Sequence, residues 1–393
     1  MRTLHLLTPG VFPMRGGLEE TVLRIARALN SAGDHRVIVY TRRQAADGMA
    51  PVAAHGSLEV VHLGRDKAFL LEPLSADAAN TEGVPSGWLA ESLRLDYLLL
   101  VSELEARIAA EPGSRHILIS FLMTTNGFIA QQAAFTLGIP HIASVQGSDF
   151  SRDFRSPYHL QAIRFVVENA RCIVTNNREQ ARTLGAAFPA ARAFRTVHNA
   201  LPEGVTVAPW APTPSPVWRL AADCGFSFKK GTHVLLRAVA ELRREGHPVC
   251  LTVAGEIAPK EKAYWEECRR NSPEHFPGWL DSASLDALFL SSDLYVSASL
   301  GEGCSLSHNR AMALGMPMAA TRTGALPELA GDAPHIRLCA PANVEALVSA
   351  IRTSMQSLRA GTLAIDPDRV RRWRQYFAPE RESREWAEMV AEI

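Results

Sequence analysis

The amino-acid sequence predicts an α/β protein with two domains, each built around a mainly parallel sheet. Short apolar segments alternate with amphipathic helical patterns through both halves of the 393-residue chain, which is typical of βαβ units. A proline-rich connection with four prolines between residues 209 and 216 separates the two halves. We therefore predict an N-terminal domain over residues 1–205 and a C-terminal domain over residues 206–370.

Composition is typical of a globular protein, with 47% apolar and 21% charged residues. The formal net charge of zero gives no electrostatic reason to expect a nucleic-acid partner. The six cysteines are scattered without a CxxC pair, which favours reduced thiols in the cytoplasm over a zinc site. Apolar segments are too short to cross a bilayer, and residues 4–8 form a first strand rather than a signal peptide.

The N-terminal half begins with a strand at residues 4–8, a glycine-containing loop, a helix and a second strand at residues 37–40. Gly16 and Gly17 precede the helix and would let a ligand approach the backbone closely, although a tight turn without a ligand is an equal alternative. The GxGxxG pattern of nicotinamide and flavin enzymes is absent. Further strands are predicted at residues 58–63, 116–120, 139–145 and 172–175, and further helices at residues 89–110, 126–137, 160–169 and 179–188.

The loop after the strand at residues 139–145 contains Gln146, Asp149 and Arg152. It lies at the carboxyl end of a predicted parallel strand, where open α/β sheets bind ligands. These side chains are therefore candidates for substrate contact, and a solvated loop is the alternative.

In the C-terminal half, Lys230 precedes a helix and Glu256 follows a strand at residues 249–255. A lysine at a helix N-terminus adds a point charge where phosphate binds well, but a solvent-facing lysine is slightly favoured when this feature is taken alone. Further strands are predicted at residues 219–224, 294–296 and 318–321, and further helices at residues 285–290, 344–358 and 368–392.

The segment at residues 297–317 reads as the end of a strand, a loop, a helix and a turn. The helix is predicted to begin near Ser305 and to end at Gly315, with Pro317 just beyond. Glu302 and Gly303 directly precede it, so a carboxylate lies beside a positive helix end. This arrangement could hold a phosphate next to hydroxyl groups, whereas an ordinary βα turn is the alternative.

Several spaced motifs carry a family resemblance. They are Phe12-Pro13 with Gly16-Gly17-x-Glu19, and, in the C-terminal half, Gly278-Trp-Leu, Ser-Asp293-Leu-Tyr-Val, Ser299-x-x-Glu302-Gly303, Ala311-Met-Ala-x-Gly315-x-Pro317, Gly324 and Glu328-Leu. In these residues the chain resembles the retaining glycosyltransferases of the group 1 family (family four), which have the GT-B fold.

The resemblance implies a GT-B architecture, with two Rossmann-like domains facing across a cleft. A C-terminal helix within residues 371–393 would return to the N-terminal domain. A nucleotide-sugar donor would bind the C-terminal domain and an acceptor the N-terminal one. The implied reaction is sugar transfer with retention of configuration, in glycan or glycoconjugate synthesis, without a metal or any cofactor besides the donor.

The resemblance also implies residue roles. Glu302 would bind the donor sugar hydroxyls, Lys230 the diphosphate, and the amides from Gly303 to Leu306 a phosphate. The expected catalytic residues are Glu302, Lys230 and Asp149, and the expected substrate-binding residues are Gly16, Gly17, Gln146, Arg152, Gly303, Cys304, Ser305, Leu306, His308, Arg310 and Glu256.

The chain departs from the family pattern at three positions. Arg310 replaces a glutamate that binds ribose, Gly225 or Phe226 replaces an arginine, and Gln146 replaces a histidine. Two alternatives therefore stay open: a catalytically impaired binding or scaffold protein, and a GT-B sugar epimerase. Lipid-linked sugars, lipopolysaccharide, small metabolites and protein side chains stay open as acceptors, and a lipid acceptor would bring peripheral membrane contact.

Two further features are interpreted as structural. Asp366-Pro-Asp368 matches a metal-binding DxD pattern, but it precedes a helix near the C-terminus, so we interpret it as a helix-start signal. His198 lies near the connection between the domains and is expected to be structural.

Overall fold

The computed structural model describes residues 2–10, 16–31, 33, 35–42, 52–63, 86–202, 204–205, 209–211, 214–257, 261–270 and 272–393. They form two compact units. The first comprises Met1–His198 and Glu382–Ile393, and the second comprises Asn199–Arg381. The predicted α/β class with two Rossmann-like domains is therefore confirmed, and the division between the units falls before the proline-rich connection. Phe12 and Pro13 of the N-terminal motif lie outside the described residues, as does Pro212 of the connection.

Among the described residues, the first unit has an eight-stranded sheet in the order β3-β4-β2-β1-β5-β6-β7-β8. Every neighbouring pair is parallel except β3 with β4, at one edge. The strands are β1 (Arg2–Thr8), β2 (His35–Thr41), β3 (Val52–His55), β4 (Leu58–His62), β5 (Arg115–Phe121), β6 (His141–Ser144), β7 (Cys172–Thr175) and β8 (Phe194–Thr196). The helices are α1 (Gly17–Ser31), α2 (Ser86–Ala110), α3 (Thr125–Leu137), α4 (Gly147–Ser151), α5 (Pro157–Asn169) and α6 (Arg178–Ala187), with a 3-10 turn at Asp153–Arg155.

Helices cover both faces of this sheet, because successive side chains of a strand point to opposite faces. Leu4 and Leu6 of β1 belong to a core with Val22 of α1, whereas Leu7 belongs to another with Leu104 of α2. Burial on both faces explains why the strands are almost continuously apolar, as expected of a parallel sheet.

Among the described residues, the second unit has a six-stranded parallel sheet in the order β11-β10-β9-β12-β13-β14. Its strands are β9 (Trp218–Asp223), β10 (Val249–Ala254), β11 (His275–Gly278), β12 (Leu294–Ser297), β13 (Met318–Thr321) and β14 (Ile336–Cys339). Its helices are α7 (Thr232–Arg244), α8 (Lys262–Arg270), α9 (Ser282–Ser291), α10 (Leu306–Leu314), α11 (Leu326–Ala330), α12 (Val344–Arg359) and α13 (Pro367–Tyr376). Central strand β9 places Asp223 at its carboxyl end, and β12 leads into the loop before α10.

The C-terminal region differs from the prediction of one helix over residues 368–392. The structure has two helices, α13 and then α14 (Pro379–Glu392). Pro379 explains the break, because proline cannot donate the backbone hydrogen bond that would continue α13. Trp373 of α13 packs in the second unit, whereas Trp386 of α14 packs in the core of the first.

Two observations bear on membranes and metals. Among the helices that the structure describes, none combines the length and apolar character needed to cross a membrane. The described residues also contain no group of three or more His, Cys, Asp or Glu side chains arranged to hold a metal ion. Asp366 accepts a hydrogen bond from the Asp368 amide at the start of α13, as expected of a helix cap.

Candidate functional site

The loop between β12 and α10 is held by the segment that follows β13. The Thr321 hydroxyl donates to the Ser299 carbonyl over 2.6 Å, and the Ala325 amide donates to the Gly303 carbonyl over 2.8 Å. Gly324 has a φ of +59°, and a Cβ there would lie 2.3 Å from the Gly303 carbonyl oxygen. Only glycine lets these two backbone segments approach so closely.

Helix α10 begins where the sequence predicts. Ser305 caps it by accepting a hydrogen bond from the His308 amide, and Gly315 ends it in a left-handed conformation. The amides in the first turn of a helix have no intrahelical acceptor, so the partly exposed Leu306 and Ser307 present N–H groups at a positive helix end. This is a suitable site for an anion such as phosphate.

Asparagines fix the backbone just before α10. The Asn199 side chain donates to the Cys304 carbonyl over 2.9 Å, and the Asn309 side chain donates to the Asn199 carbonyl over 2.8 Å. The Cys304 side chain is buried. Any contact of this residue with a ligand would therefore have to be made by its backbone.

Lys230 and Glu302, two of the residues expected at the donor site, come together at this loop. The Lys230 Nζ lies 2.8 Å from Glu302 Oε1, and the Ser299 hydroxyl donates to the same oxygen over 2.7 Å. The Lys230 side chain as a whole is 32% exposed. The pair therefore places a positive charge and a carboxylate beside the first turn of α10.

The backbone before α7 sets the position of Lys230. The Leu300 amide donates to the Lys229 carbonyl over 2.9 Å, which joins the two loops. Gly231 has a φ of +65°, and a Cβ there would lie 1.9 Å from the Ala298 carbonyl oxygen. Glycine after Lys230 is therefore required for this close packing.

The charges of the pair are maintained by mutual attraction. Burial raises the pKa of Glu302, but attraction to Lys230 outweighs this effect and lowers the pKa to about 2. Burial lowers the pKa of Lys230, yet attraction to Glu302 raises it above its ordinary value. Both groups are consequently ionised across the neutral range.

Two further polar groups of this site were not predicted from the sequence. The Ser307 hydroxyl of α10 donates to Asp223 Oδ2 over 2.6 Å, and burial raises the pKa of Asp223. Asp223 lies at the carboxyl end of β9, next to the strand that leads into the loop. The position of Asp223 at the end of a predicted strand could have indicated a role at the site. No sequence motif, however, distinguished Asp223 from the other residues near Lys230.

Arg310 and His308, both predicted ligand contacts, are buried and bonded to other side chains of the second unit. The Arg310 side chain is 6% exposed and forms an ion pair with the buried Asp286, while also donating to the Ser282 carbonyl. His308 is buried, and its Nε2 lies 3.0 Å from the Ser297 hydroxyl. Burial lowers the pKa of His308 to about 4, so the ring is neutral at pH 7.

In the first unit, Asp149 does not have the exposure expected of a catalytic group. It is fully buried, and its carboxylate accepts hydrogen bonds from the Met123 and Gln146 amides, each at 2.9 Å. Burial raises its pKa to about 7, against the effect of these backbone donors. Its position is that of a helix cap at the start of α4, and we do not retain it as a group that touches substrate.

The other predicted site residues of this unit differ in exposure. The Gln146 side chain is buried and donates to the Ser144 hydroxyl, whereas the exposed Arg152 pairs with Asp153 over 2.6 Å. Gly16 and Gly17 are exposed at the start of α1, where a ligand can reach their backbone.

Glu256 of the second unit is also exposed, with its carbonyl accepting from the Phe226 amide. That backbone contact joins the loop after β10 to the turn that precedes α7. Glu256 therefore stays a candidate contact at the carboxyl end of β10.

Two Rossmann-like units, each built on a mainly parallel sheet with flanking helices, define the GT-B class of fold. Two family models match most of the chain: "Glycosyl transferases group 1" over residues 219–357 and "Glycosyl transferase 4-like domain" over residues 16–200. The chain belongs to the group 1 glycosyltransferases.

Solved structures share the fold. A sucrose-phosphate synthase from Thermosynechococcus elongatus aligns over 100% of this chain and 99% of its own, with a TM-score of 0.76 and 16% identity. HepE from Anabaena, solved in complex with UDP-glucose, aligns over 100% of both chains, with a TM-score of 0.69 and 17% identity.

A curated relative matches more closely over a shorter segment. The MMP alpha-(1->4)-mannosyltransferase of Mycolicibacterium hassiacum is 37% identical over 133 residues. That segment covers 33% of this chain and 32% of the relative.

Proposed function

We propose that this protein transfers a sugar from a nucleotide-diphosphate sugar to a hydroxyl acceptor, with retention of configuration and without a metal ion. The observation that carries the proposal is the Lys230–Glu302 pair at the first turn of α10, in a member of the group 1 family. The fold alone would not identify the chemistry, because one fold supports many functions.

The diphosphate of the donor would bind the amides of Leu306 and Ser307 and the ammonium of Lys230. Breaking the bond between the sugar and the diphosphate places negative charge on the departing group. A preorganised helix end and an ammonium stabilise that charge more in the transition state than in the ground state. Because these groups supply the positive charge, the mechanism has no need of a metal ion.

Glu302 would hold the donor sugar. Both hydrogen bonds that its carboxylate receives from described residues reach Oε1, so Oε2 is available to accept from a sugar hydroxyl. Lys230 has two roles in this arrangement, since it orients the carboxylate and attracts the diphosphate. Fixing the sugar in this way reduces the entropy that the reaction must lose at the barrier.

The acceptor would bind the first unit, near the exposed backbone of Gly16 and Gly17 at the start of α1. The matched relative is named for transfer of mannose, and a structural neighbour is described as a lipopolysaccharide outer core galactosyltransferase. A glycan, lipid-linked sugar or small sugar-like metabolite is accordingly the proposed acceptor class. All six cysteines are free thiols, which suits a cytoplasmic enzyme that uses cytoplasmic nucleotide sugars.

The direct test is to incubate the protein with a panel of nucleotide sugars and acceptors and to measure nucleoside diphosphate release. We expect release with one donor in the presence of a chelator, and an α-configured product from an α-configured donor. Glu302→Ala should lower turnover by about a hundredfold or more without changing the thermal unfolding temperature by more than a few degrees.

Other results would contradict the proposal. If no nucleotide sugar or nucleoside diphosphate binds, the assignment of a donor site fails. Donor binding without transfer to any acceptor would indicate a binding or scaffold protein, and release of a free epimerised sugar without acceptor would indicate an epimerase.

A further inference from the structure

Asp223 has an acceptor oxygen that the interactions of the second unit do not use. Its Oδ2 accepts from the Ser307 hydroxyl over 2.6 Å. Within the part of the chain that the structure describes, its Oδ1 accepts no hydrogen bond, and that oxygen is not sealed from solvent. Such a carboxylate oxygen can accept a hydrogen bond from a hydroxyl group of a ligand.

The position of Asp223 relative to the anion site restricts what that ligand group can be. Ser307 belongs to the first turn of α10, where the diphosphate is proposed to bind, so Asp223 lies directly beside that site. A carboxylate repels phosphate, and its contact must therefore be with a neutral part of the donor next to the phosphates. Lys230 and Arg310 lower the pKa of Asp223 by attraction, but each is already paired with another carboxylate.

A nucleotide sugar carries a hydroxyl-bearing ring on each side of its diphosphate: the transferred sugar on one side and the ribose on the other. The site likewise has two carboxylates near the start of α10, Glu302 and Asp223, each held by a serine hydroxyl. Glu302 also pairs with Lys230, which places it with the sugar whose bond is broken.

We propose that Asp223 binds the vicinal hydroxyls of the donor ribose through its Oδ1, with Ser307 positioning the carboxylate. This inference rests on the proposed function, since it requires a nucleoside diphosphate at the start of α10. It assigns a specificity role to Asp223: the site distinguishes ribose from a deoxygenated ring.

The experiment measures binding of UDP, GDP and ADP to the whole protein by calorimetry, and then of the 2′,3′-dideoxy analogue of whichever binds most tightly. The wild-type protein should prefer the ribose form by about tenfold or more, as expected for hydrogen bonds to a charged acceptor. Asp223→Asn keeps the size of the side chain but weakens the acceptor. It should bind the ribose form about tenfold more weakly and lose most of the preference.

Controls separate this role from general damage. Glu302→Gln should retain the preference for ribose, because it contacts the other ring. Ser307→Ala should lower the preference partly, since Asp223 keeps its charge but loses its orientation. Thermal unfolding of each variant establishes that it is folded.

The direction in which Asp223→Asn changes the affinity for the ribose form tests the proposed contact. Unchanged or tighter binding of the ribose form would show that the carboxylate only repels phosphate, and an intact preference for ribose would place the ribose elsewhere; either result overturns the inference. Failure of the wild-type protein to bind any of the nucleoside diphosphates would instead overturn the proposed function.

Discussion

At the scale of single residues, Lys230 is the group on which the proposed donor site depends most. It is the partly exposed cation that both pairs with Glu302 at 2.8 Å and lies beside the first turn of α10. Removing its charge would leave Glu302 buried without its counter-ion, next to the place where the diphosphate is proposed to bind. We therefore expect two penalties from one substitution: a lost attraction and a new repulsion.

Lys230→Met should weaken nucleoside diphosphate binding by about a hundredfold. Lys229→Met provides the matched control, because the neighbouring Lys229 is exposed and its attraction to Glu302 acts at longer range. It should weaken binding less than tenfold. Calorimetric titration measures both, and equal effects of the two variants would show that Lys230 has no special role.

A second residue-scale prediction concerns acid stability. His141 is buried, its Nδ1 and Nε2 each lie 2.9 Å from a side-chain oxygen, and burial lowers its pKa to about 3. Below pH 6.5 the unfolded chain therefore binds a proton that the folded chain does not. Stability supplied by the neutral ring is present above that pH and is lost as the pH falls toward 3, by about 1.4 kcal/mol per pH unit.

The measurement is the urea midpoint of the first unit's unfolding between pH 7.5 and pH 5. His141→Gln should lower the midpoint at pH 7.5 but make it less dependent on pH. His275→Gln, at an exposed position of β11, is the control and should leave the dependence unchanged. A variant of His141 with the wild-type pH dependence would contradict the argument.

At the scale of elements, the loops around the candidate site are held together by glycines at close backbone approaches. Gly231→Ala would place a Cβ 1.9 Å from the Ala298 carbonyl oxygen, in a backbone conformation that alanine rarely adopts. We expect a destabilisation of at least about 3 kcal/mol and loss of nucleotide binding, because Lys230 would be displaced.

Gly246→Ala separates the cost of the positive φ from the cost of the steric contact with Ala298. Gly246 also has a positive φ, of +86°, but no atom lies within 4 Å of the added Cβ. Its cost should be only about 1 kcal/mol, and nucleotide binding should be unchanged. Denaturant unfolding and calorimetry report the two quantities, and similar costs at both positions would show that the contact with Ala298 is unimportant.

The elements that sequence patterns predicted best are those with strong local signals. The start of α10 at Ser305 and its end at Gly315 follow from capping chemistry, and both are found in the structure. The split between α13 and α14 was missed because the helical pattern continues across it, although Pro379 was a visible signal.

Side-chain partners across the fold were harder to predict. The Arg310–Asp286 and Ser307–Asp223 contacts join residues that are 24 and 84 positions apart. A single sequence does not show which residues of different elements lie opposite each other, because this depends on how α10 packs beside α9 and β9. For the same reason the burial of Asp149 could not be distinguished from a position facing a ligand.

At the scale of the whole molecule, α14 ties the end of the chain to the N-terminal unit. Its Glu382 forms a buried ion pair with Arg24 of α1 at 2.7 Å, with side-chain exposures of 2% and 6%. Trp386 and Val390 of the same helix join the core of that unit. The first unit is therefore completed only when the last residues of the chain have folded onto it.

Glu382→Ala should destabilise the first unit by about 3–5 kcal/mol, because it leaves Arg24 buried without a counter-ion. Glu392→Ala removes a carboxylate from the same helix, but its pair with Arg195 is exposed, so the cost should be below about 1 kcal/mol. Denaturant unfolding measures both, and a small effect of Glu382→Ala would show that α14 contributes little to this unit.

The most direct test of the whole account is a crystal structure of the protein soaked with the nucleoside diphosphate that binds it most tightly. We predict that the diphosphate contacts the amides of Leu306 and Ser307 and the ammonium of Lys230, with Glu302 beside the position of the transferred sugar. A diphosphate bound at any other place, with the start of α10 left empty, would contradict the account.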